Sequence, residues 1–262
     1  MFRGRAHPAQ CGLTRPVGER VHQSQGGLQI IAKDGAFLEL ACELVRELEQ
    51  PPGIHGEFRA LGDTQVYFKA EPLATWPRLR HGARHLFLRR PYPRLAEYEN
   101  LRWLASRGFN VPEPLAAGVL RVWSGVAWQF LFTRRKLEAR PLFEGGSALP
   151  DGVLGALANE VARLHELGFI HRDLHLRNLA WLEATDGPSI LIFDAWRGGA
   201  RWQSRGVAYD LACLLAGIEG AAGPLLAQEF LELYLAGRRV GTQGVAGLRA
   251  KILRERNRRQ AP

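Results

Sequence analysis

At 262 residues, with 46% apolar and 23% charged, the chain is long enough for one large domain or two lobes around a sizeable core. It has no run of eighteen apolar residues, and its first thirty residues carry Arg3, Arg5, Arg15 and Arg20 without an apolar h-region, so neither a transmembrane helix nor a signal peptide is expected and the expected location is the cytoplasm. Cys11, Cys42 and Cys213 are odd in number, widely spaced and outside any CxxC pattern, which argues against a disulfide framework or a zinc site.

The net charge of +9 calls for a polyanion or an anionic surface as candidate partner. Its distribution is uneven. No acid occurs from Pro72 to Ala96, where Arg78, Arg80, Arg84, Arg89, Arg90 and Arg94 cluster with His81 and His85. The basic runs lack the interleaved aromatic platform that single-stranded nucleic acid requires, and no helix-turn-helix pattern appears, so no nucleic-acid partner is expected.

Residues 1–27 hold many turn formers and no sustained periodicity, which predicts a loose, strand-poor extension. Apolar residues at spacings of three and four predict a helix over Phe37–Leu48, stopped by Pro51 and Pro52. Phe58–Ala70 reads as two strands around a Gly62-Asp63 turn. Lys69 sits near the end of the second strand, one of only four lysines against thirty-one arginines. A helix follows over Leu95–Gly108, with Leu95, Tyr98, Leu101, Leu104 and Ala105 as its buried stripe and Gly108 as its stop. Val111–Pro114 is an extended connector, and Val119–Phe132 a hairpin broken at Ser124-Gly125.

At Thr133–Pro141 the composition turns polar and basic, which suggests a hinge with a nucleotide-sized cleft beside it. The domain reading is therefore an N-terminal extension (1–27), an N-lobe (28–133) and a C-lobe (134–262). Asp151 is the expected cap of a helix reaching Gly168. A hairpin follows, with strands over Leu179–Leu182 and Ser189–Phe193. Ala208–Ile218 is an apolar helix carrying Asp210, an acid that needs partners if buried. Two amphipathic helices, near Leu225–Leu235 and Leu248–Arg256, complete the C-lobe.

The residues with chemistry lie around that last hairpin. His171, Arg172 and Asp173 precede Asn178 by a fixed interval, and Asp194 closes the strand after Ile190–Phe193. An acid followed five positions later by an amide, then a second acid after a short apolar strand, is the set that kinase-type phosphoryl transfer needs. Asp173 accepts the proton of a substrate hydroxyl, while Asn178 and Asp194 hold Mg2+ against the phosphates of ATP. Lys69 is the point charge for those phosphates. Glu97 is the first choice for an ion pair with Lys69 and Glu99 the second, since a kinase pairs its strand lysine with a helix glutamate. His165 and His175 read as core or loop groups and stay outside the site.

The stretches VYFKA (66–70), EYENLRWLASRGFNVPEPLAAGVL (97–120), ARLHELGFIHRDLHLRN (162–178), FDAWRGG (193–199) and YDLACLL (209–215) together resemble the Kdo/WaaP lipopolysaccharide kinase family, particularly its InaA-type members. The resemblance implies an α+β, two-lobed protein-kinase-like fold with a small antiparallel-sheet N-lobe and a mainly helical C-lobe. It implies Lys69 on the α and β phosphates, Glu97 holding Lys69, Asp173 as base, Asn178 and Asp194 on metal, and Asp210, with His171 and Arg172, supporting the catalytic loop. The chain departs from the kinase pattern in having no GxGxxG before Lys69, and Ala195-Trp196 after Asp194, so no activation-loop switch is expected.

The leading expectation is an ATP-dependent kinase for a sugar hydroxyl of lipopolysaccharide core, or of its lipid-linked precursor, in the Gram-negative envelope. The arginine segment would grip acidic sugars and phosphates or meet the cytoplasmic face of the inner membrane. The alternatives are a pseudokinase acting as a regulatory module in envelope stress, and a small-molecule kinase of the aminoglycoside type.

Overall fold

The structure, a computed structural model, describes residues 21–25, 27–47, 55–61, 64–73, 75–122, 125–136, 138–143, 149–200, 204–238 and 242–260. The chain opens with strands β1 (Val21–Gln25) and β2 (Leu28–Ala32) and helix α1 (Gly35–Glu47). Then come β3 (His55–Leu61), β4 (Thr64–Pro72), α2 (Thr75–Leu88), α3 (Pro93–Ala105), β5 (Pro114–Val122) and β6 (Gly125–Arg134). The second half holds β7 (Arg140–Pro141), α4 (Val153–Glu166), β8 (Phe169–Ile170), β9 (Leu179–Ala184), β10 (Gly187–Ile192), β11 (Gly199–Ala200), α5 (Ser204–Ala222), α6 (Pro224–Gly237) and α7 (Thr242–Gln260).

The first six strands form one antiparallel sheet in the order β1-β2-β5-β6-β4-β3. Strand periodicity gives this sheet two different faces. Phe68 and Ala70 of β4 and Trp128, Phe130 and Phe132 of β6 lie in one apolar cluster with Ala41 and Cys42 of α1. The intervening residues, Lys69, Glu71, Gln129 and Leu131, take the opposite side, where α3 packs. The helical half buries Leu157 and Val161 of α4, Leu211 and Leu214 of α5, Phe230 and Tyr234 of α6 and Ile252 of α7 in one continuous cluster, to which Tyr98, Leu101 and Leu104 of α3 also belong.

Several expectations are corrected. Val21–Gln25, assigned to the loose extension, pairs as a strand with β2, the polar Gln23–Ser24 stretch being carried by main-chain ladder bonds rather than by an apolar pattern; residues 1–20 lie outside the described set, as do Pro51, Pro52, the Gly62-Asp63 turn and Ser124. Thr75–Leu88, read only as a basic segment, is a helix. Arginine is a good helix former, and Trp76, Leu79, Leu86 and Phe87 recur at helical spacing on a face that stays exposed. Asp151 does not cap α4: the cap is Gly152 at φ 78°, and no side chain bonds the helix start. The helix read as Leu95–Gly108 runs over Pro93–Ala105: it starts two residues earlier, on Pro93, whose fixed φ suits a first turn, and gives way to a turn at residues 106–108.

Close approach of strands fixes Gly118 of β5. A Cβ there would stand 2.3 Å from the Gln29 carbonyl oxygen and 2.5 Å from the buried Phe130 ring. Gly118→Ala is expected to cost about 1–3 kcal/mol through overpacking, measured as a lower urea midpoint with an unchanged slope.

Candidate functional site

Lys69 and Glu71 point from β4 toward α3 because they alternate with the buried Phe68 and Ala70. Lys69 Nζ donates to Asp194 Oδ1 at 2.7 Å. Asp194 therefore joins the sheet to the loop after β10.

Beside that bond lies a charge cluster centred on Arg94. This residue stands in the first turn of α3 and is only 4% exposed. Its guanidinium donates to Glu97 one turn on, to Glu71 of β4 and, at 3.3 Å, to Asp194 Oδ1. Gln129 completes the arrangement: its Nε2 donates to Glu71 Oε2 at 3.0 Å and its Oε1 accepts from the Arg94 backbone N–H at 3.2 Å. A planar fork with five donors satisfies several carboxylates at once, which an ammonium cannot do with the same geometry.

Two expectations change here. Lys69 and Glu97 make no ion pair; Glu97 belongs to Arg94, which reaches it across one helical turn. Arg94 is no surface contact for substrate or membrane, because it is buried with three acids around it. Glu99, the second choice, faces away and lines a cavity described below.

Burial alone would raise the Asp194 carboxyl, but the charges and hydrogen bonds of Lys69 and Arg94 outweigh it and hold the group below the usual carboxylate range. Asp194 is thus ionised at neutral pH. Burial pushes Glu97 upward, while Arg94, penalised by its own burial, is kept charged by Glu97 and Glu71.

The loop after β8 is held from beneath. Asp210 of α5, fully buried, accepts the backbone N–H groups of His171 and Arg172, each at 2.7 Å. His165 Nε2 lies 3.5 Å from Asp210 Oδ2, and its Nδ1 is 2.9 Å from the Tyr234 hydroxyl. His171 Nε2 donates to the Phe193 carbonyl at 2.9 Å, linking this loop to the residue before Asp194. Asn178 Nδ2 donates to the Asp173 carbonyl at 2.8 Å and its carboxylate at 3.2 Å, while the Phe193 N–H donates to the Asn178 carbonyl at 2.9 Å. The β9–β10 hairpin, in which Leu179 faces Ile192, therefore carries Asn178 and Asp194 on neighbouring ends. Asp173 is also approached by His175 Nε2 at 3.4 Å and Arg177 Nη2 at 3.5 Å.

Arg172 (φ 64°) and Asp194 (φ 52°) both hold left-handed backbone conformations. Such a state is unfavourable for side chains with a Cβ and persists where neighbours over-determine it. Here Asp210 fixes the Arg172 N–H, while Lys69 and Arg94 fix the Asp194 carboxylate.

Glu71, Gln129 and Asn100 escaped the sequence reading. Glu71 was reachable, two residues from Lys69 on the same strand face. Asn100 was not: its Nδ2 donates to the carbonyls of Ala195 (2.6 Å) and Gly198 (3.2 Å), 95 or more residues away.

Among the described residues no three His, Cys, Asp or Glu side chains are grouped to hold a metal ion. The available donors are oxygen atoms of Asn178 and Asp194, which suit a hard cation completed by phosphate and water. Of the arginines, Arg78 donates to the Leu73 carbonyl at 3.0 Å and Arg89 is exposed. Arg80, Arg84 and Arg90 line a cavity of about 610 Å³, together with Arg172.

Comparison with known proteins gives three findings. The model of the lipopolysaccharide kinase (Kdo/WaaP) family matches residues 75–230, a span that begins just after Lys69. A curated 3-deoxy-D-manno-octulosonic acid kinase from Vibrio parahaemolyticus is 32% identical over 104 residues, covering 38% of this chain; the match spans 42% of that relative's length. A solved structure of WaaP in complex with acyl carrier protein superposes with a TM-score of 0.54 at 18% identity, over 81% of this chain and 91% of that one. The fold is the expected α+β protein-kinase-like one, a small antiparallel sheet followed by a mainly helical part.

The buried cluster is testable by stability alone. Arg94→Leu leaves Glu97 and Glu71 unpaired and is expected to cost about 3–5 kcal/mol in urea denaturation. Arg94→Leu combined with Glu97→Leu is expected to lose less than the sum of the two single changes, the positive coupling of a contacting pair.

Proposed function

The chain belongs to the lipopolysaccharide kinase (Kdo/WaaP) family, and from that membership we propose that it transfers the γ-phosphoryl group of ATP to a sugar hydroxyl of lipopolysaccharide core or of its lipid-linked precursor. The observation that carries the reading is the convergence of Lys69, Asn178 and Asp194 beside a loop whose backbone is clamped by Asp210 and whose Asp173 is oriented by Asn178.

In this reading Asp173 takes the proton of the acceptor hydroxyl as its oxygen attacks the γ phosphorus and the bond to ADP breaks. Asn178 holds the Asp173 carboxylate while presenting its own amide oxygen to a cation. Asn178 and Asp194 would hold Mg2+, which when bound would neutralise phosphate charge. Lys69 reaches the nucleotide phosphates from the ion pair it makes with Asp194. Arg94 donates to the same Asp194 oxygen as Lys69, so the carboxylate keeps a partner when Lys69 turns to phosphate.

We place the reaction at the cytoplasmic face of the inner membrane, where a lipid-linked acceptor resides. No helix of the described residues is long and apolar enough to cross a membrane. Helix α2 instead exposes Trp76, Leu79, Leu86, Phe87 and Leu88 among arginines, the composition of a helix that rests in an anionic lipid interface.

Asp173→Ala is expected to abolish phosphate incorporation into lipopolysaccharide while leaving the thermal midpoint in place; an active variant would overturn the base assignment. Mg-ATP at a hundredfold excess over its Kd should stabilise the parent protein by about 2.7 kcal/mol, and Lys69→Met should remove most of that gain. Co-sedimentation with vesicles checks the membrane reading. Binding should require anionic lipid, weaken with salt, and fall when Leu86 and Phe87 are both changed to Ser.

A further inference from the structure

The cavity beside the catalytic loop has a composition that the phosphotransfer chemistry leaves unexplained. Arg80, His81 and Arg84 enter it from α2, Arg90 from the turn after that helix, Arg172 from the loop before Asp173, and Arg197 from the segment after Asp194. Glu99 is the one acid among its lining residues. Five guanidinium groups and an imidazole thus converge on about 610 Å³, from stretches more than a hundred residues apart.

These arginines are not internally neutralised. Among the described residues Arg80, Arg84, Arg90, Arg172 and Arg197 form no salt bridge, although Arg94, in the first turn of α3 a few residues beyond Arg90, is surrounded by carboxylates. The His81 ring reports the same surroundings: burial and then the charges of Arg84 and Arg80 hold it below the ordinary histidine range. Like charges gathered in one concavity repel each other and focus a field that attracts oxyanions. Guanidinium forks match phosphate and carboxylate oxygens in pairs. The space exceeds a bare phosphate and falls in the range of small-molecule sites.

Arg172 connects this cavity to the chemistry. Its N–H is fixed by Asp210 and its left-handed backbone sends consecutive side chains to different places, Arg172 to the cavity and Asp173 to the Asn178 amide. Their Cα atoms stand about 3.8 Å apart. An anion held by Arg172 is thus held by the residue next to the base in the chain.

We infer that this cavity seats an anionic substituent, a phosphate monoester or carboxylate, carried by the sugar acceptor, and so orients the hydroxyl toward Asp173. The inference rests on the phosphotransfer reading for the identity of the ligand, and Arg172 serves as an anion-binding group as well as a support of the loop. It separates the arginines that the sequence left together: Arg80, Arg84 and Arg90 bind substrate, whereas Arg78, Arg89 and Arg94 do not.

The test uses the full-length protein and the variant Arg84→Gln/Arg90→Gln. In the first arm, glucose 6-phosphate, inorganic phosphate and glucose are titrated while the fluorescence of Trp196, which lines the cavity, is followed, with Trp196→Phe identifying the signal. Glucose 6-phosphate should bind, glucose should not, and the variant should bind it about tenfold or more weakly. No binding by the parent, or equal binding by the variant, overturns the site even if the protein proves an active kinase. Tighter binding of inorganic phosphate than of the sugar phosphate would assign the cavity to free phosphate and overturn the acceptor assignment.

The second arm compares lipopolysaccharide acceptor with the same material after phosphatase treatment and esterification of its carboxylates. The variant should raise KM for the untreated acceptor about tenfold, lose that difference on the treated one, and keep the parent's stabilisation by Mg-ATP. An equal KM change on both acceptors overturns the inference. If no acceptor is phosphorylated by either protein, the kinase reading fails, and the first arm alone decides whether the anion site exists.

Discussion

The Arg94 guanidinium is the contact on which the rest of the site depends. It touches the strand through Glu71, its own helix through Glu97 and the loop after β10 through Asp194. A single buried cation thereby fixes three elements that no apolar packing could hold to hydrogen-bond precision. The arrangement is costly to disturb. Desolvated charges are tolerated only while every partner remains, so removing one leaves the others exposed to a low-dielectric surrounding. Lys69 is consequently free of the helix glutamate and bound to Asp194 instead.

A second anchor works from the helical half. Asp210 has two backbone N–H groups on its carboxylate and a histidine beneath it that is itself set by Tyr234. Backbone donors are rigid, so this clamp fixes main-chain direction where Arg172 adopts a left-handed conformation. The two anchors meet through the His171 to Phe193 hydrogen bond and the Phe193 to Asn178 hydrogen bond. The site is thus a consequence of paired buried polar groups, with hydrophobic packing supplying the frame around them.

The basic segment divides along the same physical line. Arg94, with carboxylates around it, has become structural, Arg78 bonds the Leu73 carbonyl, and Arg80, Arg84 and Arg90, which form no salt bridge among the described residues, line a cavity. Helix α2 serves both purposes at once: Arg80, His81 and Arg84 face the cavity, whereas Leu79, Leu86 and Phe87 face outward.

The sequence by itself determined the local features. The Asp173 to Asn178 interval, the β9–β10 hairpin that brings Asn178 near Asp194, and Asp210 on an apolar helix all follow from spacing and periodicity, because a tight hairpin and a helix impose their geometry over a few residues. Only the tertiary structure decided what Arg94 is. Eight basic side chains between Arg78 and Arg94 look alike in one dimension, and nothing local says which is buried against Glu71 and Asp194, one 23 residues before it and the other 100 residues after it. The same holds for Arg172, read as a support of its loop and found lining the cavity. Long-range partners decide whether a charge is desolvated and paired or solvated and free, and that choice is made by packing.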